Sequence, residues 1–269
     1  MYNEIDIYDF LKCYKNQKLV YIPNPGNAGD SIIVYGTLAV FNKIGLEWEI
    51  GDINKIYNNK LLLYGGGGNL VGIYPQCKNF INKNKSNNKI ILLPHTIKSV
   101  DELIINLNDN IILICREKLS YDYVYKIIKN KNNLYLSKDM AFYITKDFLD
   151  KFKNIHSSGS CNSFRLDSEK TNIIIPKDNN DLSATLRHTI PYANTGLNTT
   201  NIDIMTKVTY AFFDYLSKYD VINTNRLHIA IAGCLLGKQV NLYANSYWKN
   251  KAIYEYSLKE LYPQCRFHN

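Results

Sequence analysis

Cations and histidines recur just past short apolar runs of this chain. Arg116 and Glu117 follow Asn110–Cys115, Pro94-His95-Thr96 closes Lys89–Leu93, and Asn223-Thr224-Asn225-Arg226-Leu227-His228 follows Val221-Ile222. An arginine at a strand end can grip a carboxylate or phosphate through two parallel N–H donors. Its other use is an ion pair within the chain, for Arg116 with Glu117 or another acid. His228 opens a helix whose first-turn N–H groups and dipole favour an anion. With Arg226 two residues earlier, the pair suits an anionic ligand, and a histidine can also carry a proton near neutral pH. His95 holds a similar strand-end position. Asn245-Ser246-Tyr247-Trp248-Lys249, after a further strand, adds an amide, a phenol and an ammonium group.

Two glycine-bearing segments stand at comparable places. Asn24-Pro25-Gly26-Asn27-Ala28-Gly29-Asp30 follows Leu19–Pro23, and Gly65-Gly66-Gly67-Gly68-Asn69 follows Lys60–Tyr64. Glycine permits close backbone approach and positive φ. Asn27, Asp30, Gly67, Gly68 and Asn69 are therefore substrate-binding candidates, with a tight structural turn as the alternative for the glycine run. Neither G-x-G-x-x-G nor G-x-x-x-x-G-K-[ST] occurs, so both nucleotide fingerprints are absent. H-E-x-x-H and Cys/His spacing suited to a metal are also missing, and no metal is expected.

The elements that must position these residues alternate. Strands are expected at Leu19–Pro23, Glu47–Ile50, Lys60–Tyr64, Lys89–Leu93, Asn110–Cys115 and Leu134–Leu136. Helices are expected at Asp30–Asn42 (with Asp30-Ser31 as the cap), Val100–Leu107 and Glu117–Lys129. Residues 146–171 are polar and break the pattern. Alternation resumes with strands Asn172–Ile175, Val221-Ile222 and Gln239–Tyr243 and helices Ile204–Tyr219, Leu227–Leu236 and Trp248–Leu258, while 177–202 stays unassigned. Continuous apolar strands alternating with helices imply parallel sheets. The natural division is 1–150 and 151–269, with a cleft between two α/β halves; one continuous doubly wound domain is the alternative.

The 269 residues carry a net charge of +8, with 46% apolar and 21% charged side chains. That composition supports a buried core. The positive charge is diffuse and sits on no nucleic-acid-binding module, so nucleic acid is not an expected partner. No run suits a transmembrane helix and no signal pattern opens the chain, which predicts a cytoplasmic protein; a membrane surface stays compatible with the charge. The six scattered cysteines read as buried, reduced thiols.

Gly26–Asp30, Gly65–Asn69, Arg116-Glu117-Lys118-Leu119-Ser120, Asp139-Met140-Ala141-Phe142, Arg226-Leu227-His228 and Asn245–Lys249, in that order, resemble the polysaccharide pyruvyl transferase family. The resemblance spans about residues 18 to 258 and implies two Rossmann-like halves arranged as in glycosyltransferases of the B type. It also implies transfer of pyruvate from phosphoenolpyruvate to sugar hydroxyls, forming a cyclic ketal, with no cofactor beyond that co-substrate. Arg116, Arg226 and His228 would take the catalytic or donor-binding positions. The acceptor would be a sugar or glycan, free or lipid-linked. Many members carry Arg at the end of the first strand of the second half, where Pro176-Lys177-Asp178 is expected here. A glycosyltransferase using a sugar nucleotide is the alternative on the same fold.

Overall fold

The computed structural model describes the backbone of residues 1–189 and 201–269 and the side chains of 1–186 and 201–269. Two compact units emerge: Met1–Pro25 with Gly36–Met140, and Gly26–Tyr35 with Ala141–Asn269. The second unit thus starts near residue 141 rather than 151 and recruits a segment from far upstream.

The first unit is built on strands β1 (Leu19–Ile22), β2 (Trp48–Ile50), β3 (Leu61–Tyr64), β4 (Gly67–Val71), β5 (Lys89–Lys98), β6 (Ile111–Cys115) and β7 (Leu134–Leu136). Its sheet is parallel throughout, in the order β2-β1-β3-β5-β6-β7, with β4 pairing to the far half of β5. Every residue of β1, β3 and β6 is buried, as expected for strands covered on both faces. Helices α1 (Ile7–Lys12), α2 (Ala28–Ile44), α3 (Gln76–Asn84), α4 (Asp101–Ile105) and α5 (Lys118–Ile127) follow in chain order. The chain passes from β1 out to β2 and then back to β3 on the other side of β1. The carboxyl ends of β1 and β3 therefore flank the reversal of strand order, where open parallel sheets bind ligands.

Two expectations change here. β5 does not close at Pro94 but runs through it to Lys98, and its pairing with β6 slips between Leu92 and His95. Proline has no N–H for a ladder, so it sits where the register is irregular. The glycine run is likewise only partly a loop: Gly67 and Gly68 begin β4, Gly67 at φ 144°, a conformation that glycine supplies.

The second unit contains α6 (Lys146–Leu149), β8 (Ser160–Ser163), α7 (Leu182–Thr189), α8 (Ile202–Ser217), β9 (Val221–Thr224), α9 (Leu227–Leu235), β10 (Gln239–Tyr243), α10 (Lys249–Ile253) and β11 (Cys265–His268). The expected strand at 172–175 is absent; β8, inside the polar stretch 146–171, takes its place beside β9. Of the unassigned stretch 177–202, Leu182–Thr189 is helix and 190–200 lies outside the described residues. The sheet runs β11-β10-β9-β8, all parallel. Strands stacked in chain order with right-handed crossovers send their connecting helices to one face. Gly233 of α9 accordingly sits so close to Ile222 and Val240 that a Cβ there would lie 2.7 and 2.9 Å from them. The other face is half-exposed and carries an amide ladder, Asn241 Nδ2 to Asn223 Oδ1 at 2.8 Å and Asn223 Nδ2 to Asn162 Oδ1 at 3.0 Å. This alternation explains why β8, with the sequence Ser-Cys-Asn-Ser, lacks an apolar run.

Candidate active site

The first unit gathers Gly67, Gly68, Asn69, His95 and Arg116 at the carboxyl end of its sheet. Arg116, one residue past β6, is buried. Its Nε donates to Thr96 Oγ1 at 2.8 Å and its Nη1 to Asp139 Oδ2 at 2.7 Å. The ion pair is with Asp139, and not with the neighbouring Glu117. The glycine beside it has a steric reason: a Cβ on Gly68 would stand 3.0 Å from Arg116 Nη2. Glu117 instead caps α5, accepting from Ser120 N–H at 2.9 Å, and burial pushes its carboxyl up to about 7.

His95 pairs in register with Gly67 and is fully buried. Its Nδ1 lies 3.1 Å from Leu93 O and its Nε2 lies 3.1 Å from Asn69 Oδ1, two acceptors of which a neutral ring can donate to one. Asn69 Nδ2 in turn donates to Tyr64 Oη at 3.0 Å, and Tyr64 Oη lies 3.4 Å from Asn24 Oδ1. Burial, assisted by the charge of Arg116, lowers the His95 pKa to about 3. The ring stays neutral at physiological pH, which fits a fixed hydrogen-bonding member of this chain better than a proton donor.

The second unit gathers Asn27, Asp30, Arg226, His228, Asn245, Tyr247 and Lys249. Asn27 and Asp30 build the start of α2 as a reciprocal cap. Asn27 Oδ1 accepts from Gly29 N–H at 2.8 Å, and Asp30 Oδ2 accepts from Asn27 N–H at 2.9 Å. The cap is therefore Asn27, three residues before the one expected from sequence. Gly29, in this first turn, packs on His228: a Cβ there would lie 2.7 Å from His228 Nδ1 and 3.1 Å from His228 Cβ. His228 stands in the first turn of α9, whose N-cap residue, Arg226, makes no side-chain cap bond. The amino ends of two helices, α2 and α9, thus meet at this imidazole, and both helix dipoles favour an anion there.

Arg226 spends its guanidinium on acids. It donates to Asp181 through Nε at 2.9 Å and Nη2 at 2.5 Å, and its Nη1 lies 2.8 Å from Asp167 Oδ2. Lys249 Nζ reaches Glu169 Oε2 at 2.7 Å and lies 5.1 Å from the centre of the Tyr247 ring; Asn245 Nδ2 reaches the same Glu169 oxygen at 3.3 Å. Arg165 joins them, with Nη1 2.6 Å from Glu169 and Nε 2.7 Å from Asp167. Sequence reasoning missed Arg165, Asp167, Glu169, Asp181 and the chain from Tyr64 to Asn24. A signal existed for Arg165. It stands two residues past β8, the true first strand of this unit, so the arginine sought near Pro176 is here.

The profile of the polysaccharide pyruvyl transferase family matches residues 27–247. The chain belongs to the polysaccharide pyruvyl transferase family. EpsO of Bacillus subtilis (strain 168), a protein named for pyruvyl transfer, is 28% identical over 94% of this chain and 88% of its own. A crystal structure of KP1_0663, an uncharacterized protein of Klebsiella pneumoniae subsp. pneumoniae NTUH-K2044, is 34% identical. It superposes with a TM-score of 0.82 over 97% of this chain and 96% of that one. The chain is accordingly a transferase of the pyruvyl-to-polysaccharide class. Among the described residues, no helix is long and apolar enough to cross a membrane.

Proposed function

We propose that the pyruvyl donor is phosphoenolpyruvate and the product a cyclic ketal on two hydroxyls of a sugar or glycan precursor. The observation that carries this reading is His228, seated on Gly29 where the amino ends of α2 and α9 meet, two residues from Arg226. A donor with one carboxylate and one phosphate suits two helix amino ends and nearby cations. His228 delivers a proton to the methylene carbon, making it a methyl group and leaving an oxocarbenium-like centre at C2. One sugar hydroxyl adds there, inorganic phosphate leaves, and the second hydroxyl closes the ring. Of the two hydroxyl protons, one replaces the proton given by His228 and the other leaves with phosphate. Asn27, Asp30, Asn245, Tyr247 and Lys249 line the donor side, while Gly67, Gly68, Asn69 and His95 serve the acceptor. A lipid-linked acceptor and work at the membrane surface fit the net charge.

The test is phosphate release from phosphoenolpyruvate in the presence of candidate glycans, beside nucleotide release from a panel of sugar nucleotides. Glycan-dependent phosphate release with a mass gain of one pyruvyl ketal is expected. Nucleotide release without it would assign the chain to glycosyl transfer. His228→Gln should bind donor normally and turn over about 10²–10⁴-fold more slowly, the usual span for a general acid.

A further inference from the structure

Arg165, Arg226 and Lys249 are all buried in the second unit, and so are two carboxylates that answer them. Asp181 holds Arg226 by two bonds, and Glu169 holds both Arg165 and Lys249. Among the described residues of this cluster, three positive side chains thus face two buried negative ones. Asp167 supplies the third negative charge, and it differs in kind: its side chain is 42% exposed, against 7% and 6% for Glu169 and Asp181. It is held on a turn after β8. Its Oδ1 lies 2.7 Å from Arg165 Nε, and its Oδ2 lies 3.0 Å from Arg165 Nη2 and 2.8 Å from Arg226 Nη1. One exposed carboxylate therefore bridges two buried guanidinium groups whose other edges are already occupied. Planar, two-pronged contacts of this kind are what arginine offers to any carboxylate or phosphate.

We propose that Asp167 is a resident stand-in for the ligand. Arg165 and Arg226 together form an anion subsite for a carboxylate or a phosphate monoester, and that group enters by displacing the Asp167 side chain into water. Displacement is cheap for Asp167, which is already half-solvated, whereas the guanidinium groups cannot lose an anion without a replacement, since an uncompensated buried charge is costly. For a carboxylate the charge balance of the cluster is the same before and after exchange; a phosphate monoester brings up to one further negative charge. The subsite deepens the reading of an anionic donor at Arg226, and Arg165 becomes a ligand contact in its own right.

The experiment is calorimetric titration of the wild type and Asp167→Asn with inorganic phosphate, pyruvate and phosphoenolpyruvate, with melting curves to establish folding. The amide has the same shape but leaves the two arginines short of one charge. Binding of the anions should tighten about tenfold, about 1.4 kcal/mol, and Arg165→Lys should weaken it. Unchanged or weaker binding by folded Asp167→Asn makes the carboxylate a structural strut and overturns the proposal. A second measurement needs no variant. Glu169 N–H donates to Asp167 Oδ1 at 3.1 Å, so phosphate should speed hydrogen exchange at Glu169 in the wild type; slower or unaltered exchange counts against displacement. If phosphate and pyruvate respond as expected while phosphoenolpyruvate binds neither protein, the subsite stands and the donor assignment falls. If phosphoenolpyruvate binds both proteins equally, the donor assignment stands and the displaceable carboxylate falls.

Discussion

Replacing Gly29 by alanine separates position from stability. The added methyl would lie 2.7 Å from His228 Nδ1, 3.1 Å from His228 Cβ and 3.0 Å from Asn27 Oδ1. Ordinary carbon–nitrogen contact needs roughly 3.5 Å or more, so the imidazole must move by something near 1 Å or the first turn of α2 must shift. A displacement of that size at a reacting group costs about 10²-fold in rate, close to 2.7 kcal/mol of barrier. Stability should change far less. Alanine gains about 1 kcal/mol of helix propensity over glycine, which offsets much of the roughly 1–3 kcal/mol strain of an overpacked contact. Single-turnover phosphate release and a melting curve on the same preparation read both quantities. The expected result is a rate loss of about two orders of magnitude with a melting shift of a few degrees. A variant with the wild-type rate would refute the argument, because His228 would then need no defined place against α2.

Asp139→Asn should destabilise the first unit by about 3–5 kcal/mol in urea titration, because it leaves the Arg116 guanidinium buried without its partner; an equally stable variant would mean that Arg116 finds another anion. Stability should also peak in mildly acidic solution. Glu117 has its pKa raised by burial from 4.5 to about 7, so the folded state binds the extra proton and stability falls as pH rises through that window. His95 has its pKa lowered from 6.5 to about 3, so stability falls as pH drops below 6.5. The two opposed slopes cancel between about pH 4.5 and 6.5; melting temperatures measured from about pH 3 to 9 test both signs, and Glu117→Gln should remove the fall at the alkaline end and leave stability rising through the window where the two cancel. A fragment of residues 141–269 should fail to give a cooperative transition, since Gly26–Tyr35 belongs to the same compact unit; adding that segment as a peptide should restore folding in part.

Strands buried on both faces were legible from their apolar runs. β1, β3 and β6 stand within a residue of where their apolar runs place them, because nothing polar interrupts a strand with two covered faces. Among strands with a half-exposed or exposed side, β2, β7 and β10 also stand within a residue of their expected places, whereas β8, β11 and β4 escaped the reading. β8 and β11 alternate small, polar and aromatic residues, and β4 starts on two glycines. One misplaced strand had consequences beyond itself: with the first strand of the second unit set at 172–175, Arg165 went unnoticed and an arginine was missing where the family resemblance expects it. The residue types at the site were readable from strand ends and the helix start at Arg226-Leu227-His228. Their partners were not. Asp181 pairs with Arg226 across 45 positions and Glu169 with Lys249 across 80, and no local spacing encodes contacts of that range. The closeness of Gly29 to His228 belongs to the same class.

The recruitment of Gly26–Tyr35 into the second unit also sets an order of events on the ribosome. This segment leaves the exit tunnel among the first, while the strands and helices it packs with begin only after residue 140. At ~5–20 residues per second, the interval before the last of them is made is on the order of 10–50 s. For that time Ile32, Ile33 and Val34, each at most 1% exposed in the finished protein, have no finished second unit to bury them. A nascent chain in this condition offers a short, strongly apolar sequence to whatever binds such segments. Its burial is therefore a late event of synthesis, completed only when the C-terminal strands arrive.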